Sequence, residues 1–276
     1  MKLSIVVPSY NQGKYLEEAL LSVISQHRND VELIVMDGGS TDNSVEIIKK
    51  YRNNIAYWQS KKDKGQSDAI NEGFRIAKGE YVTWLNSDDI LVNGALDLII
   101  ATIDRNPHIK WFLGNLLWID KSGRIIKVGK VEKACWFWNR FFLFSNGGPS
   151  AIMKRETLLG IGGLREDFHY MMDTELWCRF ISIGEKFVRI EDYCWGLRLH
   201  ESAKMSGHNF KNSVLADKNH PSWAQKKKEA KYISDKYKVS FLLNYIWRFS
   251  KLFTFEYYTR FFENHKLGKK IDEIRV

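Results

Sequence analysis

Apolar and polar positions fall in blocks over the first hundred residues. Residues 3–7 (Leu-Ser-Ile-Val-Val), 31–36 (Val-Glu-Leu-Ile-Val-Met) and 81–85 (Tyr-Val-Thr-Trp-Leu) are short apolar runs, and 55–59 gives a weaker one. Such runs, bounded by turn residues, predict strands buried on both faces. Between them the period changes to that of a helix. Leu16, Ala19, Leu20 and Val23 share one helical face, with Asn11 placed to cap its start. A short helix through Lys50 follows a Gly-Gly-Ser-Thr-Asp loop, a third helix is expected around 68–77 with Gly79 closing it, and a fourth around 95–105. Strands alternating with helices predict an α/β fold, a doubly wound and mostly parallel sheet. Ligands of such sheets sit beyond the carboxyl ends of the strands. The polar clusters lie there: Pro8-Ser9-Tyr10-Asn11, Asp37, and Asn86-Ser87-Asp88-Asp89.

From residue 111 the pattern changes. Two strand-like runs, 111–119 and 124–129, flank Asp120-Lys121-Ser122-Gly123, a hairpin signal. An aromatic cluster at 136–144 precedes Gly147-Gly148-Pro149-Ser150, and a helix is expected over 173–183. Composition adds that the 276 residues, 44% hydrophobic and 27% charged, make a folded chain with room for one large domain and an appendage. Cys135, Cys178 and Cys194 are odd in number and lack zinc spacing, which fits a reduced, cytoplasmic setting. Pro8 and Asn11 interrupt the apolar run a signal peptide needs. The apolar stretch at 239–247, bounded by Lys238 and Arg248, is too short to span a bilayer.

Three places carry candidate chemistry. Asp88 and Asp89 are adjacent carboxylates on a turn after a buried strand, and they repel. A divalent cation shared with a diphosphate resolves that repulsion, and so does an acidic helix start; the two residues alone fit either. Asp173, at the start of its helix, fits a general base or a simple cap. His200 fits a metal ligand or an ordinary core histidine. Trp195 and the tryptophans at 136–138 can stack on sugar rings, but core packing is the expected role for each.

Four segments occur in order: Val-Val-Pro-Ser-Tyr-Asn ending at Asn11, Met-Asp-Gly-Gly-Ser-Thr-Asp around Asp37, Gly-Gln-Ser-Asp-Ala-Ile-Asn-Glu-Gly around Asp68, and Trp-Leu-Asn-Ser-Asp-Asp ending at Asp89. Together they resemble the family 2 glycosyltransferases of the GT-A fold, of the bacterial polysaccharide and O-antigen type, over about residues 3–205. The resemblance implies that Pro8, Ser9 and Tyr10 line a nucleoside pocket and that Asp37 accepts from the base. It implies that Gln66 and Asp68 close over the ribose and sugar, and that Asn86-Ser87-Asp88 stands for the family's Asp-x-Asp motif with Asp88 as main metal ligand. Asn86 departs from that motif and brings no charge, which gives Asp89 more weight. Asp173 matches the catalytic base, with Met172 where relatives carry an acid and Glu175 as the fallback, and His200 matches a late histidine near the diphosphate or metal. Gly147 to Ser150 resembles the acceptor-side loop. The implied reaction is an inverting, Mn- or Mg-dependent single displacement moving a sugar from a nucleoside diphosphate, UDP being expected, to a hydroxyl of a lipid-linked or growing cell-surface saccharide.

The expected organisation is a nucleotide-sugar half at 1–110, an acceptor and catalytic-base half at 111–205 with a small mixed sheet, and a helical extension at 206–276. The net charge of +9 sits mostly in the last part, where ten Lys and three Arg stand against six acidic residues over 221–276. A basic, aromatic helix at 239–262 is compatible with an anionic membrane surface, with packing on the body, or with a second subunit. The expected location is the cytoplasm, peripherally on the inner face of the plasma membrane. Basic clusters alone do not indicate nucleic acid, and none is expected as a partner. A dehydrogenase is disfavoured because no GxGxxG follows the first strand. A non-catalytic nucleotide- or carbohydrate-binding protein on the same fold stays open because of Asn86 and Met172.

Overall fold

The computed structural model describes residues 1–131, 150–201, 203, 221–238 and 263–276. The expected acceptor-side glycines 147 and 148, Pro149, the 136–138 tryptophans, Cys135 and the helix at 239–262 lie outside them. Among the described residues no helix is long and apolar enough to cross a membrane.

The expected strands form the parallel half of the sheet. β1 (Leu3–Ser9) is buried along its whole length because it is central, flanked by β2 (Val31–Asp37) and β4 (Tyr81–Trp84). β3 (Tyr57–Ser60) closes the edge beside β2, half exposed, which explains its weaker apolar signal. Three helices connect these strands: α1 (Gly13–Ile24), α2 (Ser44–Lys50) and α3 (Gln66–Ile76). α4 (Ala95–Arg105) follows the acidic turn.

Beyond β4 the nine-stranded sheet becomes mixed, in the order β3-β2-β1-β4-β8-β6-β9-β5, with β7 beside β6. The hairpin of β6 (Trp111–Ile119) and β7 (Ile125–Gly129) forms as expected. The Asp120 carboxylate accepts the Ser122 and Arg124 N–H groups, and Gly123 takes φ +81°. β8 (Ala151–Lys154) runs antiparallel between β4 and β6. β9 (Phe187–Arg198) runs parallel to β6, and the two-residue β5 (Ile90–Leu91) pairs with its far end. Between Ile190 and Tyr193 β9 bulges, and Asn115 Nδ2 holds the displaced Glu191 carbonyl at 2.7 Å. Bulges bend a strand; this one lies upstream of the end of β9 that meets the acidic turn.

Two apolar layers sandwich the sheet. One contains Leu16, Leu20, Ile48, Leu96 and Ile99 from α1, α2 and α4. The other contains Ile70 and Phe74 of α3 with Leu176, Trp177 and Phe180 of α6 (Met172–Ser182). In the second layer Trp177 stacks between Trp84 and Trp111, with ring centroids 6.3 and 5.2 Å away. Two more helices complete the described chain, α5 (Arg155–Gly160) and α7 (Pro221–Tyr237). Ile233 of α7 and Ile271 near the C-terminus are both buried in the body.

Two local expectations are corrected. Asn11 does not cap α1. It takes φ +52°, accepts the Thr41 N–H at 2.8 Å and donates its own N–H to Ser40 Oγ at 2.8 Å. The cap comes from the next loop, where Asp42 accepts the Gly13 N–H at 2.9 Å. Gly79 is not a left-handed helix end, since α3 stops at Ile76 and Ala77 is extended. It is a close-approach position: a Cβ there would lie 2.5 Å from Ser4 Oγ and 2.7 Å from the Tyr81 carbonyl.

Trp195 is fully buried and lies flat on Gly114, where an added Cβ would meet its ring at 2.0 Å. It is a packing residue, as expected. Gly114→Ala is predicted to cost about 1–3 kcal/mol through overpacking. That is a fall in melting temperature of roughly 3–10 °C for a domain of this size, measurable by thermal unfolding.

Candidate active site

Parallel register brings the sequence clusters to one edge. Ser9 pairs with Asp37 and Asp37 with Ser60, while β4 stops at Trp84 opposite Val6, so all four strands end on the same side. Pro8 and Ser9 are buried, Tyr10 is 60% exposed, and the Ser9 hydroxyl has no protein partner. Asp37, itself buried, organises the next loop. Its Oδ2 accepts the N–H groups of Gly39 and Ser40 and the Ser60 hydroxyl, and its Oδ1 accepts the Ser40 hydroxyl.

The acidic turn treats its two carboxylates differently. Asp89 points inward at 4% exposure; Oδ1 accepts the Arg198 N–H at 2.8 Å and Oδ2 the Asn86 amide at 2.7 Å. Burial, and then the Asp88 charge beside it, push the Asp89 carboxyl well above the usual carboxylate range. Asp88 points the other way, with Oδ2 3.0 Å from His200 Nε2. Arg198 clasps the turn from below: Nε donates to the Asp88 carbonyl at 2.9 Å and the guanidinium pairs with Glu18 at 2.7 Å. Tyr15 packs between the Arg198 guanidinium and the His200 ring, 5.0 and 4.7 Å from its centroid, and its buried hydroxyl has no protein partner. Arg198 and Tyr15 were not among the expected site residues, since an arginine on a strand end and a tyrosine on an amphipathic helix carry no spacing signal.

The start of α3 joins this turn to Asp173. Gln66 Nε2 donates to Asn86 Oδ1 at 2.8 Å, and its neighbour Ser67 donates to Met172 Sδ at 2.9 Å. One turn on, Asn71 bonds both the N–H and the carbonyl of Leu164 at 2.8 Å. Asp68 sits on the outer side, holding the Lys64 N–H at 3.0 Å beside an open depression lined also by Lys61, Lys62 and Arg75. Gln66, Asn86, Asp88, Asp89 and His200 therefore form one connected set, with Ser87 buried among them.

Asp173 lies in the first turn of α6 and is not its cap; Met171 holds the cap position without a side-chain bond. Asp173 Oδ1 is fixed by the Thr174 N–H at 2.6 Å and hydroxyl at 3.2 Å, and the residue is half-buried. Glu175 is sealed from solvent, held by Arg179 and by the Tyr237 hydroxyl, each at 2.8 Å. Of the two carboxylates on α6, Asp173 is thus the accessible one. Lys226 of α7 is half-buried nearby; burial lowers its ammonium pKa, opposed by the charges of Asp173 and Glu229.

Among the described residues no group of three His, Cys, Asp or Glu could by itself hold a metal ion. The donor set present fits a cation completed by a ligand. Asp88 and His200 offer an oxygen and a nitrogen, and Mg or Mn sites commonly take remaining ligands from substrate phosphates and water.

Residues 4–148 match Glycosyl transferase family 2. The chain belongs to this family. It is 32% identical to the GalNAc(5)-diNAcBac-PP-undecaprenol beta-1,3-glucosyltransferase of Campylobacter jejuni, over 64% of this chain and 58% of that protein. In structure it is similar to Staphylococcus aureus TarS in complex with UDP-GlcNAc, with TM-score 0.60, 23% identity, and coverage of 75% of this chain and 61% of that one. It also resembles the mannosyltransferase PcManGT of Pyrobaculum calidifontis in complex with GDP-Man and Mn2+, with TM-score 0.55, 19% identity, and coverage of 75% and 59%. The fold is GT-A. The chain spans about half the length of the curated relatives it matches, 53% and 40% for two of them.

The Asn86 amide is predicted to stabilise the buried Asp89 carboxyl through the bond it donates. Asn86→Asp replaces its donated bond by carboxylate repulsion, so in EDTA the variant should lose about 1–3 kcal/mol and melt several degrees lower. Added Mn2+ should raise its melting temperature more than that of the wild type. Equal melting in EDTA would show that the bond to Asp89 contributes nothing.

Proposed function

We propose that the chain is an inverting glycosyltransferase moving a sugar from a UDP-sugar to a hydroxyl of a lipid-linked or growing saccharide. The observation that carries this reading is the Asp88–His200 contact at 3.0 Å, linked through Asn86, Gln66 and Ser67 to Met172, beside the one accessible carboxylate of α6. Family membership and the UDP-GlcNAc of the similar TarS structure support a nucleotide-sugar donor. The undecaprenol-linked substrate in the Campylobacter relative's name supports a lipid-linked acceptor.

In this mechanism the exposed ring of Tyr10 stacks on the base, with Pro8 and Ser9 forming the floor of the nucleoside pocket. Ser9 Oγ, buried without a protein partner, is available to the nucleoside. Asp37 Oδ1 holds a hydroxyl that is able to turn, leaving a lone pair for a base N–H. Asp68 and Gln66 close over ribose and sugar. Asp88 and His200 would hold a divalent cation, with Asp89 and Ser87 shaping the turn beneath them. Such a cation, when bound, compensates the charge that grows on the departing diphosphate. Asp173 takes the proton of the acceptor hydroxyl as its oxygen bonds to the anomeric carbon and the bond to the diphosphate breaks. One displacement inverts that carbon. The remaining work is alignment of two substrates, which the shared first turn of α3 serves.

Two substitutions test these roles. Asp173→Asn should lower transfer by about 10²–10⁴-fold while UDP with Mn2+ still raises the melting temperature as in wild type. Asp88→Ala should abolish the Mn2+-dependent part of that rise. Full turnover by Asp173→Asn would refute the base assignment, and a protein that binds UDP but releases none from any UDP-sugar in the presence of a lipid-linked saccharide acceptor would be a binder.

A further inference from the structure

α7 reads in the sequence as part of a basic tail, with Lys226, Lys227, Lys228 and Lys231 around a single acid. That acid, Glu229, is 2% exposed. Its Oε1 accepts the His169 N–H at 2.8 Å, and its Oε2 accepts the N–H groups of Tyr170 and Met171 at 2.9 Å each. Gln225, one turn earlier on α7, donates to Oε1 at 2.8 Å. Three consecutive main-chain donors thus converge on one carboxylate some sixty residues downstream. The last of them is the cap residue of α6, which lacks a side-chain cap of its own. Asp173 lies two residues further along.

A buried carboxylate is costly unless its charge is met. Here it is met by N–H groups and by the positive end of the α6 dipole, where a negative group is favourable. Apolar contact alone does not require a charge on this face. Ile233, one turn on, is fully buried and docks α7 without one, helped by Tyr232, which bonds Arg165, and by Tyr237, which bonds Glu175. What the charge adds is a fixed course for residues 169–171, and hence a fixed start for the turn that presents Asp173.

We propose that Glu229 is a positioning residue for Asp173, so that the helix after the family segment completes the catalytic site. The inference rests on Asp173 being the base. Its test uses the full chain, with UDP-GlcNAc and other UDP-sugars as donors, an undecaprenyl-diphosphate-linked saccharide as acceptor, and acceptor-dependent UDP release as the measure of turnover. Glu229→Ala should lower kcat by about 10–100-fold with the donor KM unchanged within about twofold, because the nucleotide half is untouched. Amide exchange at residues 169–174 should quicken in the same variant. Glu229→Gln, which keeps an acceptor oxygen, should recover part of the rate and of the protection. Ile233→Ala loosens the same helix without touching the carboxylate, and should leave kcat within about twofold even where it lowers the melting temperature as much.

Equal loss of kcat in Glu229→Ala and Ile233→Ala overturns the positioning role, leaving Glu229 as one more docking contact. Unchanged exchange at 169–174 overturns it as well. If wild type releases UDP from no donor, the transferase reading falls, and the positioning role with it. Loss of protection in Glu229→Ala would then still show the capping to be real, separating the two failures.

Discussion

Two carboxyl groups on successive residues at the mouth of a buried strand are unstable unless each is answered. The structure answers them separately. Asp89 is turned into the protein, where a main-chain N–H and an amide take its oxygens. Asp88 is turned outward to His200, and its carbonyl is held by Arg198. The end of β9 supplies Arg198 and His200 to this turn, and the bulge at 191–192 lies in the strand that delivers them. Removing a single partner would leave a carboxylate buried against an identical neighbour, the condition under which broken pairs cost most. The mixed half of the sheet therefore does more than enlarge the core: it brings a cation and an imidazole to a turn belonging to the parallel half.

α6, the helix that carries Asp173, is held along its length by packing. Trp177 stacks between Trp84 and Trp111, and Phe180 and Phe187 each lie 5.2 Å from the Trp111 ring. Aromatic pairs of this kind fix orientation as well as burying area. α6 is pinned by this stack along its length, by Ser67 at its first residue, and by Glu229 just before it. The acidic turn is thus positioned by hydrogen bonds and α6 by packing along its length and hydrogen bonds at its start, with α3 touching both.

Legibility in the sequence followed the physics of each element. β1, β2, β4 and α4 were plain because burial on both faces, or a clean helical period, leaves a pattern in the chain itself; the expected helix at 95–105 is the observed one. β5 has two residues and exists only because β9 passes beside it. β9 was missed because Glu191 and Asp192 at its bulge interrupt the apolar run. Asn11 and Gly79 were assigned local roles by residue type, whereas each is set by a distant partner, Thr41 in one case and Ser4 in the other. In the site, residues that follow strand ends were visible, because topology gathers them. Arg198, Tyr15 and Glu229 were not: their function depends on contacts across some sixty to 180 residues, and Glu229 is further hidden inside a run of lysines.

The adjacent residues Gln66 and Ser67 lie side by side on one rigid turn, yet each grips a different half of the molecule. A helix does not yield at one residue and stay still at the next. Any tilt of that turn toward Asn86 must also tug on Met172 and on the carboxylate that follows it. Under the function proposed above, donor choice and acceptor reach are two readings of one lever, and a change bred for the first will tend to detune the second.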